Sequence, residues 1–243
     1  MADALKAPSS PVHRTRIKIC GLTREADVDA AVHAGADAIG FVLYAKSPRA
    51  VSYARACELA QRLPAFVTPV LLYVNEDTTN LIALRADSMP ARPRFLLQFH
   101  GDESPQQCLA AGQAFMRAAR IPVASAASFD LVKFCADYAA AQAILVDADS
   151  EGFGGSGKSF DWKAQPWSHP QINASSRIVL SGGLTAQNVI DGITLVRPWA
   201  VDVSSGVELD APNGGTQKGL KDPKKIIDFI AAVRRADEIL SKS

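Results

Sequence analysis

The chain has few cysteines, and their spacing does not suit a metal site. Its four cysteines form no C-x-x-C pair, and no histidine stands at metal-ligand spacing; the cysteines are Cys20, Cys57, Cys108 and Cys135. Structural zinc sites need such clusters, so we predict no bound metal. All but Cys20 fall within predicted helices beside apolar residues, a pattern that favours reduced thiols and a cytoplasmic protein.

Long apolar runs and an excess of charge are also missing. No run is long enough to span a bilayer, and residues 1–15 lack the apolar stretch of a signal peptide. The net charge is only +1, so bulk electrostatics favour neither nucleic acid nor an anionic membrane as a partner. We predict neither partner, and we interpret residues 1–15 as a flexible leader before a single domain over residues 16–243.

What the chain does contain is a regular alternation of short apolar strands and helical patterns. With 243 residues, 48% of them hydrophobic, it can bury a sizeable core without disulfides. The predicted strands are 16–20, 38–43, 67–74, 95–99, 116–121, 143–147, 177–181 and 199–203. The predicted helices are 24–34, 53–62, 78–86, 105–114, 128–140, 161–166, 186–192 and 223–240.

Eight strand–helix units in about 240 residues predict an α/β fold, a single (β/α)8 TIM barrel. The strands are nearly continuous apolar runs, as expected of parallel strands covered on both faces. A doubly wound open sheet is the competing topology, but it usually has fewer units. The composition does not fix the oligomeric state; a monomer is favoured over a homodimer.

Cys20 and Asp147 each end a predicted strand. In a barrel of this type the C-terminal strand ends meet at the active site, so a thiol and a carboxylate there could act as a base and an acid. Lys18 alternates with Cys20 along the strand and is a candidate to lower the pKa of the thiol. The alternative interpretations are a small buried core thiol for Cys20 and a loop-capping carboxylate for Asp147.

Two glycine-rich loops follow strands seven and eight, which is the usual phosphate position in this fold. One contains Gly182 and Gly183, and the other contains Ser204, Ser205 and Gly206. Backbone N–H groups can approach an anion closely where residues are this small. The plainer interpretation of Gly182 and Gly183 is a tight turn.

The long loop after strand six matches the G-x-x-x-x-G-K-[ST] pattern of nucleotide-binding P-loops over residues 152–159. No convincing long helix follows it directly, as a P-loop requires. We therefore expect a mobile flap that covers the substrate and adds N–H donors to its phosphate, with Gly155, Ser156 and Gly157 as the candidate donors.

Taken together and in order, these segments resemble phosphoribosylanthranilate isomerase. The motifs are KICGLT (18–23), GFV (40–42), KSPR (46–49), QFHG (98–101), VDA (146–148), GGSGKSFDW (154–162), SGGL (181–184) and DVSSGVE (202–208). One departure is Phe99, where the family more often has leucine. We expect this side chain to face the barrel wall.

The resemblance implies an Amadori rearrangement in tryptophan biosynthesis. In this reaction N-(5′-phosphoribosyl)anthranilate becomes 1-(2-carboxyphenylamino)-1-deoxyribulose 5-phosphate, with no metal or redox cofactor. The family's motif places the base at Cys20 and the acid at Asp147, and it uses the position of Arg49 to hold the substrate carboxylate. A solvated loop arginine is the alternative for Arg49.

Lys18, Gln98 and His100 are expected to line the substrate, although His100 could equally be a structural hydrogen-bond donor. Two other functions compete. A histidine-pathway aminoaldose isomerase is expected to have aspartate at the position of Cys20 and to consist of two similar halves. An inactive phosphosugar-binding protein would not need both proton-transfer residues.

Overall fold

The computed structural model describes residues 13–77, 79–80, 93–149, 159–175 and 177–242. Eight parallel strands close into a barrel in chain order, which confirms the predicted fold class. The strands are β1 Arg16–Cys20, β2 Ala38–Val42, β3 Thr68–Tyr73, β4 Leu96–Phe99, β5 Phe115–Pro122, β6 Ala143–Asp149, β7 Ile178–Leu180 and β8 Ala200–Val203. Residues 1–12 lie outside the described ranges, so the leader stays a prediction.

The helices cover the outside of the barrel. They are α1 Glu25–Ala34, α2 Tyr53–Ala60, α3 Pro105–Ala110, α4 Leu131–Asp137, α5 Pro170–Ser175, α6 Val189–Val196 and α7 Pro223–Lys242. No helix among the described residues is both long enough and apolar enough to cross a membrane. Most of the helix predicted over residues 78–86 lies outside the described residues.

Side chains cap several helix ends. Ser104 forms a capping box with Gln107, and the Asp222 carboxylate accepts from the backbone N–H of Lys224 at 2.8 Å. One predicted helix was wrong. The segment predicted as helix 161–166 holds only a 3-10 turn, and the helix begins at Pro170, since proline suits the first helical position. On α7, Ile226, Ile230 and Val233 are buried against the barrel, whereas Ile227 is exposed.

Side chains alternate between the two faces of each strand, as in other closed barrels. Ile17 and Ile19 of β1 belong to the large core between the sheet and the helices. Phe99 belongs there too, with its ring centroid 5.7 Å from that of Phe115. The opposite face puts Lys18 and Cys20 in the barrel interior. The described outer faces are apolar except at Arg117 of β5, which is buried beside Phe134 and Tyr138. The inner faces become polar towards the C-terminal ends of several strands.

A short antiparallel hairpin follows β8 and was not predicted. It pairs β9 Glu208–Asp210 with β10 Thr216–Lys221 and leads directly into α7. Its strands are polar and irregular, with a register shift between them, so the sequence gives no clear strand pattern. The hairpin places Glu208 and Lys221, both buried, beside the C-terminal ends of β1 and β8.

Candidate active site

Lys18 and Asp202 form a buried ion pair on neighbouring strands. They are register partners in the pairing of β1 with β8, and Lys18 Nζ donates to Asp202 Oδ1 at 2.8 Å. Burial by itself would lower the pKa of Lys18, but attraction to Asp202 and Cys20 raises it above its ordinary value. Lys18 is therefore a fixed positive charge in the barrel interior.

Cys20 lies beside this pair, against the backbone of Gly40. A Cβ placed on Gly40 would stand 2.6 Å from Cys20 Sγ and 3.0 Å from Lys18 Nζ, so both side chains use the space that this glycine leaves. Burial raises the pKa of the thiol, and Asp202 adds to the rise, whereas Lys18 lowers it. The net direction is upward, so Cys20 rests as a thiol. Lys18 acts on the pKa of Cys20 in the predicted downward direction, but burial has the larger effect.

Asp147 faces His100 in the interior of the barrel. His100 Nε2 lies 3.1 Å from Asp147 Oδ2, while the other carboxylate oxygen accepts from the backbone N–H of Ala148 at 2.9 Å. On the far side of the ring, His100 Nδ1 lies 3.1 Å from Gln98 Nε2. If the Gln98 amide donates, Nδ1 accepts, and the imidazole proton sits on Nε2 towards Asp147.

Hydrogen bonding among Gln98, His100 and Asp147 is incomplete. Within the part of the chain that the structure describes, His100 Nε2 and Gln98 Oε1 have no hydrogen-bond partner. The contact between Nε2 and Asp147 has ion-pair distance without hydrogen-bond alignment. Buried polar atoms without partners are uncommon and mark a place where a ligand or water can bind. The structure thus brings Gln98, His100 and Asp147 together in the barrel interior, a grouping that was not predicted from the sequence.

The loop after β7 packs tightly on Asp147. Gly182 has φ +82°, and a Cβ there would stand 2.6 Å from Ala148 N and 3.1 Å from Asp147 Oδ1. Gly183, with φ +66°, also needs the left-handed region. Both glycines bend the chain, which agrees with the plainer interpretation of a turn and leaves the phosphate role a prediction. The same turn keeps backbone close to the carboxylate.

Gly183, Ser205 and Gly206 line a common pocket of about 420 Å³ together with Lys218 and Lys225. A Cβ on Gly206 would overlap the carbonyl oxygen of Leu184, so the loops after β7 and β8 are in direct contact. These two loops meet as the sequence predicted. Gly155, Ser156 and Gly157 lie outside the described residues.

Ser204 and Gly182 are the two described phosphate candidates that do not line this pocket. The Ser204 carbonyl instead accepts from Lys221 Nζ at 2.9 Å. Its hydroxyl is also close to Gly21, because a Cβ on Gly21 would stand 3.2 Å from Ser204 Oγ. Ser204 therefore joins the loop after β8 to the end of β1.

Arg49 is buried and makes a two-point ion pair with Glu208. Its Nε donates to Glu208 Oε1 at 2.6 Å and its Nη2 donates to Glu208 Oε2 at 2.9 Å. A Cβ on Gly21 would stand 2.5 Å from Arg49 Cδ, so the arginine stem crosses the residue that follows Cys20. The alternative of a solvated loop arginine is wrong, because Arg49 is only 5% exposed.

Sequence reasoning gave no role to Asp202, Glu208 or Lys221, although all three are buried beside the predicted site. A signal existed for Asp202. It is a carboxylate inside an apolar strand, next to a strand that carries a lysine in the same way, and in a closed barrel strands one and eight are neighbours. No comparable signal marked Glu208 and Lys221, because their hairpin was not predicted.

The fold and the site define a protein of the (β/α)8 enzyme class, with a thiol, a carboxyl group and an imidazole buried inside the barrel mouth and a pocket lined by small residues beside them. The family model described as N-(5′-phosphoribosyl)anthranilate (PRA) isomerase matches residues 17–232, and the chain belongs to this family of isomerases. The family predicted from the motifs is confirmed.

Individual relatives agree with this assignment. The N-(5′-phosphoribosyl)anthranilate isomerase of Methylibium petroleiphilum is 55% identical over 230 residues, which cover 95% of this chain and 99% of the relative. The crystal structure of the isomerase of Thermotoga maritima is 33% identical with a TM-score of 0.74, over 91% of this chain and 99% of that one.

A further isomerase structure, in complex with reduced 1-(o-carboxyphenylamino)-1-deoxyribulose 5-phosphate, is 30% identical with a TM-score of 0.69. It covers 91% of this chain and 99% of its own.

Proposed function

We propose that this chain converts N-(5′-phosphoribosyl)anthranilate to 1-(2-carboxyphenylamino)-1-deoxyribulose 5-phosphate in tryptophan biosynthesis, with Asp147 as the acid and Cys20 as the base. The observation that carries the proposal is that both groups are buried in the barrel interior beside a polar partner suited to their step. Asp147 lies beside the His100 imidazole, and Cys20 lies beside the Lys18 ammonium.

In the first step, Asp147 in its acid form gives a proton to the furanose ring oxygen. The bond from C1′ to that oxygen breaks, and the lone pair of the anthranilate nitrogen forms the C=N bond of a Schiff base. His100 lies against the carboxyl group on one side, with Gln98 behind the imidazole, and Gly182 lets backbone approach from the other side. The role of His100 here is to orient Asp147 rather than to serve as a remote structural donor.

In the second step, the Cys20 thiolate takes the proton from C2′. The electrons of the C–H bond move towards the nitrogen to give an enolamine, which tautomerises to the ketone. Since burial raises the pKa of Cys20, the thiolate is the minor form at neutral pH, and Lys18 stabilises it when it forms. The Lys18–Asp202 pair keeps the ammonium within reach of the sulfur.

The two ends of the substrate bind to groups other than the two that transfer protons. We assign the anthranilate carboxylate to Arg49, and the phosphate to backbone around Gly182, Gly183 and the segment Ser204 to Gly206. Lys218 and Lys225 line the same pocket together with Asp228, and Lys225 also pairs with Asp210, so the backbone N–H groups are the main donors that we assign to the phosphate. The predicted flap residues Gly155, Ser156 and Gly157 remain assigned to the phosphate as a prediction.

The test is a fluorescence assay for loss of phosphoribosylanthranilate, run on the wild type and Cys20→Ser together. We expect turnover by the wild type in the presence of a chelator, and a loss of at least about 100-fold in the variant. Inhibition by the chelator would point to a metal. Turnover of the aminoaldose substrate of the histidine pathway in preference would support the alternative enzyme, and no turnover of either would favour the inactive binding protein.

We retain the cytoplasm and the monomeric state as proposals. None of the four cysteines forms a disulfide, which suits a reducing compartment. Among the described residues, large exposed apolar side chains are few and scattered, except that Phe66, 97% exposed, lies with Trp199 around a pocket at the N-terminal end of the barrel. Sedimentation equilibrium should give a mass near 25.8 kDa, and twice that mass would contradict the monomer.

A further inference from the structure

Glu208 is fully buried, and within the described part of the chain it accepts five polar contacts from donors. They are Arg49 Nε at 2.6 Å, Arg49 Nη2 at 2.9 Å, Thr216 Oγ1 at 2.9 Å, the Gly219 backbone N–H at 2.9 Å and Lys221 Nζ at 3.4 Å. Burial would raise the pKa of Glu208, but the bonds from Arg49 and the charge of Lys221 hold it at about 2. Glu208 is therefore a permanent anion.

This anion fixes the direction of the Arg49 guanidinium. A carboxylate that accepts from both Nε and Nη2 defines the plane of the group and the edge that it turns away. The arginine stem is confined as well. It crosses Gly21, where an added Cβ would stand 2.5 Å from Arg49 Cδ and 3.4 Å from Arg49 Cβ. Arg49 is thus held in one orientation at the residue next to Cys20.

Lys221 gives the cluster of Arg49, Glu208 and Lys221 an excess of positive charge. Arg49 and Lys221 carry two positive charges against the one negative charge of Glu208, and all three side chains are buried. The neighbouring pair of Lys18 and Asp202 is neutral as a unit and does not cancel the excess. Burial, followed by repulsion from Arg49, lowers the pKa of Lys221 to about 8, against the attraction of Glu208.

We propose that Glu208 and Lys221 are positioning residues for the substrate carboxylate, acting through Arg49. Glu208 sets the direction of the guanidinium, and Lys221 offsets the charge of Glu208 so that Arg49 keeps its attraction for an anion. An arginine bound only to glutamate would be a neutral pair with little affinity for a second carboxylate. This inference rests on the role proposed above for Arg49.

The experiment compares two ligands that differ only in the carboxylate. One is the reduced product analogue, 1-(2-carboxyphenylamino)-1-deoxyribitol 5-phosphate, and the other is its phenylamino counterpart without the carboxyl group. The ratio of their dissociation constants, measured by calorimetry at pH 7.5, reports only on recognition of the carboxylate. A purely structural role would weaken both ligands alike and leave this ratio unchanged.

We expect the wild type to prefer the carboxylated ligand by about 30-fold, and Glu208→Gln and Lys221→Met each to reduce that ratio about tenfold. Simple electrostatics predicts the opposite for Glu208→Gln, because removal of a negative charge should strengthen anion binding. An unchanged or larger ratio in Glu208→Gln would therefore overturn the inference. Matched surface controls are Glu58→Gln and Lys224→Met, whose side chains are 65% and 80% exposed.

Arg49→Ala separates this inference from the function on which it rests. If it leaves the ratio at the wild-type value, the role of Arg49 itself is wrong. If Arg49→Ala abolishes the preference while Glu208→Gln keeps it, only the role of Glu208 is wrong. Should Glu208→Gln fail to fold, Thr216→Val removes a single donor to the same carboxylate, and we expect it to lower the ratio about twofold to threefold.

Discussion

The two halves of the barrel interior follow the same alternation of side chains but carry different chemistry. Towards the N-terminal end of the strands, seven buried apolar residues form one cluster: Val70, Met116, Ala118, Ala143, Leu145, Val179 and Ala200. One inward position further along, Leu145 is followed by Asp147, and Ala200 is followed by Asp202. One strand therefore supplies apolar packing at its start and a buried ionisable group at its end, which is where active sites lie in this fold.

Substitutions at the reactive end should have the largest effect on the reaction and little effect on the fold. We expect Cys20→Ala and Asp147→Asn each to lower kcat by about 10²–10⁴-fold, because each removes one proton transfer. This loss corresponds to an increase of roughly 3–5 kcal/mol in the activation free energy. Steady-state kinetics with the fluorescent substrate measures kcat, and a thermal melt measures the fold. Cys57→Ala, on α2, is the matched control for the thiol.

Near-normal turnover in either variant would show that the residue is not the proton-transfer group. A large fall in melting temperature would instead show that the polar end also carries the stability of the barrel. That second result would blur the division between the two halves, even if the chemistry were assigned correctly.

The apolar end should give the reverse result. Leu145 is fully buried on β6, two residues before Asp147, so Leu145→Ala leaves a cavity in the interior cluster. We expect the free energy of unfolding in urea to fall by about 3 kcal/mol while kcat of the folded enzyme changes less than about threefold. A loss of kcat as large as that of Asp147→Asn would mean that the packing layer, rather than the strand end, positions the acid.

The sequence predicted the fold well because strand periodicity and barrel closure are local and repetitive signals. Each strand is an apolar run that can be seen in its own residues. Eight such runs alternating with helices favour a closed barrel over an open sheet. The predicted pair of Cys20 and Asp147 had the same basis, since both end a strand. The errors fell on α5, where proline starts a helix rather than ending one, and on the hairpin before α7.

The rest of the site could not be predicted because it depends on contacts between distant segments. Arg49 and Glu208 are 159 residues apart, and nothing near either one in the sequence indicates the other. The same holds for the pKa of Cys20. Lys18 was recognised as a neighbour of the right sign, but the extent of burial, which decides the direction, is a property of the folded barrel.

A smaller effect tests the charges that the polar end buries. Lys221 has its pKa lowered to about 8 in the folded chain, against an ordinary value of 10.5. Below about pH 8 both the folded and the unfolded chain hold the proton. Between about pH 8 and 10.5 the unfolded chain holds more, so the contribution of Lys221 to stability rises with pH across this window.

We therefore expect the free energy of unfolding of the wild type, minus that of Lys221→Met, to increase by about 2 kcal/mol from pH 7 to pH 9.5. Urea titrations of both proteins at the two pH values give this difference, in which the other titrating groups largely cancel. Lys224→Met should show no such increase, because its ammonium is exposed and pairs with Asp228 at the surface. A flat difference for Lys221 would mean that water or relaxation solvates its ammonium. Burying charge at the polar end of the barrel would then cost much less free energy than the buried position of Lys221 implies.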